Sequence, residues 1–141
     1  MEQKLEGLNI IDLISEKHIV LRREAEDRWA ENEKEEITHT EGFLLAKIRM
    51  EKVSLARVAK QANISRQAMF KCAKKLEEKG YLEFISEEGS GKYAVLTKKG
   101  EEYCRRSQAL KMQIEEEIVE VLGEEKVMLL KDLLKKEWLV K

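Results

Sequence analysis

Residues 53–82 read VSLARVAKQANISRQAMFKCAKKLEEKGYL. Ser54 is placed to cap a short helix in which Leu55, Val58, Ala59 and Ala62 recur at three- and four-residue steps and so share one face. Asn63 then stands where the chain must turn, and Asn is among the few residues that tolerate left-handed backbone. Ser65 caps a second helix that carries Met69, Cys72, Ala73 and Leu76 at the same spacing until Gly80 stops it. The pattern predicts two helices joined by a sharp turn. Ala59 is small where they approach, and Ile64 and Met69 are placed to lock the pair.

The second helix has two unlike sides. At 100° per residue, Cys72, Ala73 and Leu76 fall within about 60° of Met69, whereas Gln67, Phe70, Lys71 and Lys74 fall on the opposite half. A helix-turn-helix lays such a polar, cationic face in the major groove of DNA, with the first helix as its brace. Gln67 can pair bidentately with adenine, Phe70 can pack on a thymine methyl, and Arg66 can reach a guanine edge or a phosphate. Lys71, Lys74 and Lys75 suit phosphate, which adds affinity without sequence information. A solvated basic helix would use the same residue types; the turn, the caps and a hairpin beyond Gly80 together favour the DNA reading.

Outward from this unit, the period changes after Gly80. Leu82 to Ile85 and Tyr93 to Leu96 are short β-prone runs around the turn SEEGSGK, a small hairpin. On the N-terminal side, Thr38 and Glu41 have capping-box spacing and start a helix from about Thr38 to Glu51. Before it, Ile11, Ile14, His18, Leu21, Ala25 and Trp29 line one stripe of a long helix from Leu8 to Trp29. Leu5, Leu8, Ile10, Leu13, Ile19 and Val20 widen its apolar surface beyond what a surface helix needs, which points to burial against a partner chain. Thr97 caps a second long helix carrying Tyr103, Ser107, Leu110, Ile114 and Val121. Gly123 interrupts it, and a last helix from about Glu124 is expected to turn Val127, Leu130, Leu134 and Trp138 to one face. The expected fold is mainly α with a β-hairpin wing: a winged helix-turn-helix core between N- and C-terminal dimerisation helices.

The chain of 141 residues suits one domain, expected as 1–36, 37–97 and 98–141 for the N-terminal helix, the core and the C-terminal helices. Proline is absent and 39% of residues are charged, a composition of long amphipathic helices. The net charge of −1 averages unlike regions. Residues 1–46 hold 6 lysines and arginines against 12 acids, 47–79 hold 10 against 3, and 80–141 hold 11 against 13. The basic centre is the footprint a phosphate backbone requires. With no charged-then-apolar leader and no apolar run near the roughly 20 residues of a membrane span, a cytoplasmic protein without membrane contact is expected.

Cys72 and Cys104 lack metal-type spacing and offer at most one bridge, which fits a reduced compartment. Cys72, on the inward side of its helix, reads as a small hydrophobe rather than a redox sensor. Cys104 lies at the edge of its stripe and is the more plausible reactive thiol. His18 reads as a core or interface histidine, or alternatively as lining an effector pocket with Trp29. With His18 and His39 as the two histidines and no His/Cys cluster, no metal is expected. No phosphate loop and no nucleophile grouping suggests a cofactor or an enzyme.

Residues 53–82, the hairpin and the LTKKG after it resemble the winged-helix core of the MarR (multiple-antibiotic-resistance regulator) family of bacterial regulators, and the helix order on both sides is similar too. The resemblance implies a homodimer built from the N- and C-terminal helices that represses transcription until a small molecule or an oxidant loosens its grip on an inverted-repeat operator. It places Ser65, Arg66, Gln67, Lys71 and Lys74 at the groove, and Ser54 where a helix N-terminus meets phosphate. Three departures stand out. Family wings carry an Asp-Arg-Arg-like group whose Arg enters the minor groove, but SEEGSGKY offers only Lys92. Gly42 replaces an apolar residue, which predicts looser packing in the second helix. The cysteine of the family's oxidant sensors lies in the N-terminal helix, where this chain has none. Two other classes remain open: a winged helix that binds an acidic protein partner, and a structural dimerisation module.

Overall fold

The computed structural model describes residues 2–87, 89 and 91–140. Their elements are α1 (Glu2–Leu5), α2 (Ile10–Asn32), α3 (His39–Met50), α4 (Leu55–Ala62), α5 (Arg66–Lys79), β1 (Leu82–Glu87), β2 (Gly91–Leu96), α6 (Lys98–Leu122) and α7 (Glu124–Lys135). The chain forms two compact units. One spans Lys34–Gln108; the other joins the chain up to Glu33 with the chain from Ala109 onward.

In the first unit, local chemistry sets the helix ends. Thr38 Oγ1 accepts from the Glu41 backbone N–H at 3.1 Å, and the Glu41 carboxylate accepts from that of Thr38 at 2.9 Å, so the expected capping box forms. Ser54 and Ser65 cap α4 and α5 by accepting from Arg57 and Ala68. Asn63 adopts the left-handed region at φ 58°, ψ 44°, and the N–H groups of Asn63 and Ile64 return to the carbonyls of Lys60 and Ala59. Gly80 ends α5 likewise at φ 89°, with Gly80 and Tyr81 bonding back to Glu77 and Leu76. Both ends thus use the same left-handed closure, which satisfies carbonyls a helix end would otherwise orphan.

The core of this unit lies where α3, α4, α5 and the hairpin meet. Leu44, Leu45, Val58, Met69, Leu76 and Leu82 are its largest fully buried side chains. Each contributes about 1.5–3 kcal/mol by leaving water. β1 and β2 pair antiparallel from Leu82↔Leu96 to Glu87↔Gly91, so each strand runs two residues farther toward the turn than its β-prone residues suggest. Backbone pairing carries the ladder through Ser86↔Lys92 despite their weak propensity. Of the turn, Glu88 and Ser90 lie outside the described residues. Thr97 starts α6 as expected, accepting from the Gly100 N–H while its hydroxyl donates to the Gly80 carbonyl. Gly100 has no substitute: a Cβ there would lie 2.1 Å from the Tyr81 carbonyl oxygen.

In the second unit, Asn9 caps α2 by accepting from the Asp12 N–H at 2.8 Å, so this helix begins at Ile10, two residues later than the expected start at Leu8. α2 buries none of its residues, and Ile10, Ile11, Ile14, Ile19, Val20 and Leu21 are exposed. Arg28 bonds Glu24 and Glu117, each at 2.8 Å. Val127 of α7 and Ile114 of α6 are buried, whereas Leu130 and Leu134 are exposed. Trp138 departs from the expectation. α7 ends at Lys135, so Trp138 lies beyond the helix, exposed, with its indole N–H donating to the Leu133 carbonyl at 2.7 Å. The sequence carried the 3-4 spacing past the point where the backbone leaves the helix. Among the described residues, no helix is long and apolar enough to cross a membrane.

Candidate nucleic-acid interface

α5 divides as its spacing predicts. Met69, Ala73 and Leu76 are buried, while Ser65, Arg66, Gln67, Phe70, Lys71, Lys74 and Lys75 are exposed on the other side. Phe70 is 52% exposed, a large apolar ring facing solvent among cations. Lys74 is not an idle charge: its ammonium lies 2.9 Å from the Glu77 carboxylate one turn along. Among the described residues, Arg66, Lys71 and Lys75 form no ion pair, so their charge is uncompensated. Ser54 is exposed at the N-terminus of α4, on a different helix end from this face.

The hairpin joins the face through a ring absent from the sequence-based candidates. Phe84 of β1 lies 6.5 Å from Phe70, centroid to centroid. The Lys92 ammonium stands 5.1 Å from the Phe84 centroid and that of Lys74 5.8 Å. Lys52, ahead of α4, holds the far end of the hairpin, 2.7 Å from the Glu87 carboxylate and 4.4 Å from the Tyr93 ring centroid. The hydrogen bond with Glu87 raises the Lys52 pKa and, with one from Tyr93, lowers that of Glu87. The signal for Phe84 was its period-two spacing from Leu82. Lys52 had none beyond its place in the basic centre.

The two thiols are inward-facing. Cys72 is half-buried, and burial pushes its pKa up to about 11, Glu41 adding to the rise against Lys79 and Lys75. It lines an open cleft of about 340 Å³ with Thr38, Glu41, Lys71 and Lys75. Cys104 is buried, so its expected position at a stripe edge is corrected: α6 turns it into the core unit. Nor does Gly42 leave a gap, because the Tyr103 hydroxyl fills the space, 3.2 Å from where a Cβ would stand. His18 is exposed on α2 and Trp29 half-buried nearer its end, both engaged in contacts. Among the described residues, no group of three or more metal-ligating side chains assembles.

The C-terminal end of α5 is tied to the linker that precedes α3. The Tyr81 hydroxyl and the Arg106 guanidinium both donate to the Glu35 carboxylate. Partial burial pushes Glu35 up, but these hydrogen bonds and the Arg106 and Lys99 charges outweigh it and hold the carboxyl below its ordinary value. Lys99 lies 4.5 Å from the Tyr81 ring centroid and donates to the Lys79 carbonyl at 2.7 Å.

No protein-family model matches the sequence, and no curated protein matches it. Solved structures do. Wild-type MarR of Escherichia coli in its apo form is similar at 21% identity with a TM-score of 0.75, over 92% of this chain and 97% of that one. The Mycobacterium tuberculosis MarR family protein Rv2887, in complex with salicylic acid, is similar at 22% identity and a TM-score of 0.73, over 92% and 96%. MepR, a transcription regulator of the Staphylococcus aureus multidrug efflux pump MepA, is similar at 17% and 0.69, over 90% and 94%. The likeness runs over at least 90% of the chain in each case, and the protein therefore has the winged-helix fold of the MarR-family regulators.

Proposed function

We propose that the chain is a double-stranded DNA-binding transcription regulator. The observation that carries this reading is the division of α5: a buried apolar back, and a front that presents Gln67, Phe70 and uncompensated Arg66, Lys71 and Lys75. Gln67, Phe70 and Arg66 read base edges in the major groove, Lys71, Lys74 and Lys75 contact phosphate, and Ser54 brings the α4 N-terminus to the backbone. Lys92 is the wing's cationic contact.

The regulator acts as a homodimer. The exposed Ile and Leu side chains of α2 and α7 are the surface that a second copy would cover. A twofold axis then sets two α5 helices about 34–36 Å apart on an inverted repeat. The neighbour Rv2887 was solved with salicylic acid, which supports a small-molecule effector here, with His18 and Trp29 as its contacts. Such an effector releases a repressor by binding the DNA-competent and incompetent states unequally.

Selection from a random duplex pool followed by gel shift tests this reading. Enrichment of a palindromic site is expected, with Gln67→Ala or Phe70→Ala relaxing preference at a base position. Lys71→Ala and Lys75→Ala should weaken all duplexes alike and reduce the salt slope by about one unit each. Equal retention of every duplex by the wild-type protein would sink it in favour of a protein-binding winged helix.

A further inference from the structure

Phe84 sits in the middle of β1, opposite Ala94, on the same face as Leu82, but is only partly buried where Leu82 is fully buried. The ring lies at the edge of the core rather than inside it. It stands at the crease between hairpin and α5, where three side chains converge on it. The Phe70 ring lies 6.5 Å away at an interplanar angle of 35°. Lys74 of α5 and Lys92 of β2 both hold their ammonium groups within 6 Å of its centroid. Two like charges gain nothing from sharing a crease on their own account. The negative face of the aromatic ring favours both, and the Glu77 carboxylate 2.9 Å from Lys74 offsets part of their repulsion.

The same contact restrains Phe70. A base-reading ring that is 52% exposed has few neighbours to select one rotamer, and a site works only when its rotamers are locked by packing. Phe84 supplies that packing from the wing.

We infer that Phe84 is a specificity-positioning residue: it clamps the wing to the recognition helix, fixes Phe70 for base contact, and gathers Lys74 and Lys92 into one paired-cation seat for the DNA backbone that crosses the crease. This deepens the proposed DNA-binding function and rests on it. Phe84 itself touches no base. The wing, short and without an arginine, acts here by holding α5's side chains rather than by reading the minor groove.

The test compares Phe84→Leu, Phe84→Met and Phe84→Trp with the wild-type dimer, using the selected operator and its single-base variants at several salt concentrations. Thermal melting is followed in parallel. Phe84→Leu and Phe84→Met should bind the operator about ten-fold more weakly, about 1.4 kcal/mol. They should lose preference at the same base pair as Phe70→Ala and flatten the salt slope by about one unit. Phe84→Trp, which keeps the ring, should retain both preference and slope. Adding Phe70→Ala to Phe84→Leu should cost little more, because the two act on one contact. Wild-type preference and slope in folded Phe84→Leu or Phe84→Met, or independent multiplication of the Phe70 and Phe84 losses, would overturn the clamp. If Phe84→Leu melts early, Phe84→Met and Phe84→Trp decide the matter, together with Lys92→Gln, which should lower the slope without altering base preference. A wild-type protein that shows no operator preference overturns the underlying DNA reading instead, a result distinguishable from failure of the clamp.

Discussion

The Lys79 ammonium, on the last turn of α5, lies 3.1 and 3.3 Å from the two carboxylate oxygens of Glu41, an α3 residue that is only 2% exposed. The same carboxylate closes the capping box with Thr38, and Lys79 also donates to the Glu36 carbonyl at 3.2 Å. One acid thus starts α3 and anchors the end of α5. The two partners are not equivalent, because Lys79 can reach water and Glu41 cannot. Lys79→Met, which strands a buried carboxylate with one backbone donor, should cost about 1–3 kcal/mol. Glu41→Gln, which keeps one oxygen to accept from Thr38 and removes the buried charge, while Lys79 can turn to water, should cost less. Urea unfolding of both variants checks the order, and a larger loss for Glu41→Gln would contradict it.

The ends of α3, α4 and α5 were legible because each depends on a residue with one physical job: Thr38, Ser54 and Ser65 as acceptors, Asn63 and Gly80 as left-handed closures. The outward face of α5 was legible from period alone. The rest depended on partners distant in sequence. Phe84 and Lys52 matter through contacts with α5 and the hairpin that no local spacing encodes. Gly42 looked like a defect because the side chain that fills its space, Tyr103, is some sixty residues away. Cys104 was misplaced for a related reason: elements outside its own helix bury it together with Tyr103. Trp138 failed at a helix terminus, where spacing persists after the backbone has left the helix.

The link between Tyr81 and Glu35 makes stability depend on pH in a definite sense. Glu35 titrates below its ordinary value of 4.5 in the folded protein, so its contribution is in place above that pH and is lost as pH falls through the depressed value. The Tyr81 hydroxyl is pushed up, by burial first and then by its bond to Glu35, so its contribution holds below its ordinary value of 10.0 and is lost well above it. Tyr81→Phe should therefore cost about 1 kcal/mol near neutrality. The gap from wild type should shrink as pH falls below 4.5, where the wild-type protein also loses the interaction. Denaturant titrations at pH 7 and pH 3 read the difference, and a constant gap would refute the assignment.

Gly42 offers a test of helix propensity against fit. In a helix interior, Gly→Ala gains about 0.8–1.0 kcal/mol from propensity, but at Gly42 the new Cβ meets the Tyr103 hydroxyl at 3.2 Å. That hydroxyl must give by a few tenths of an ångström, and burial of Tyr103 leaves it little room. Gly42→Ala should be neutral or destabilising alone, yet stabilising by about 1 kcal/mol when added to Tyr103→Phe, which removes the obstructing atom. Additive melting shifts across the four proteins of the cycle would show that the hydroxyl is not the obstacle.

Glu77 tempers the cationic face of α5. Its carboxylate holds Lys74 at 2.9 Å, an i,i+3 pair whose side chains are 35% and 46% exposed. Such a pair adds at most about 0.5 kcal/mol to folding, so Glu77→Gln should leave the melting temperature nearly unchanged. Its effect on DNA is larger, because a phosphate must displace this carboxylate to take Lys74, and the acid itself repels the backbone. Glu77→Gln should bind duplex several-fold more tightly at 50 mM salt, with a log–log salt slope steeper by up to about 0.9. Base preference should not change, since neither residue reads a base edge. In a Lys74→Ala background the substitution should lose most of its effect on the slope, leaving only the relief of repulsion. Fluorescence anisotropy from 50 to 200 mM salt distinguishes these cases. An unaltered slope in Glu77→Gln would mean that the Glu77 carboxylate does not compete with phosphate for Lys74.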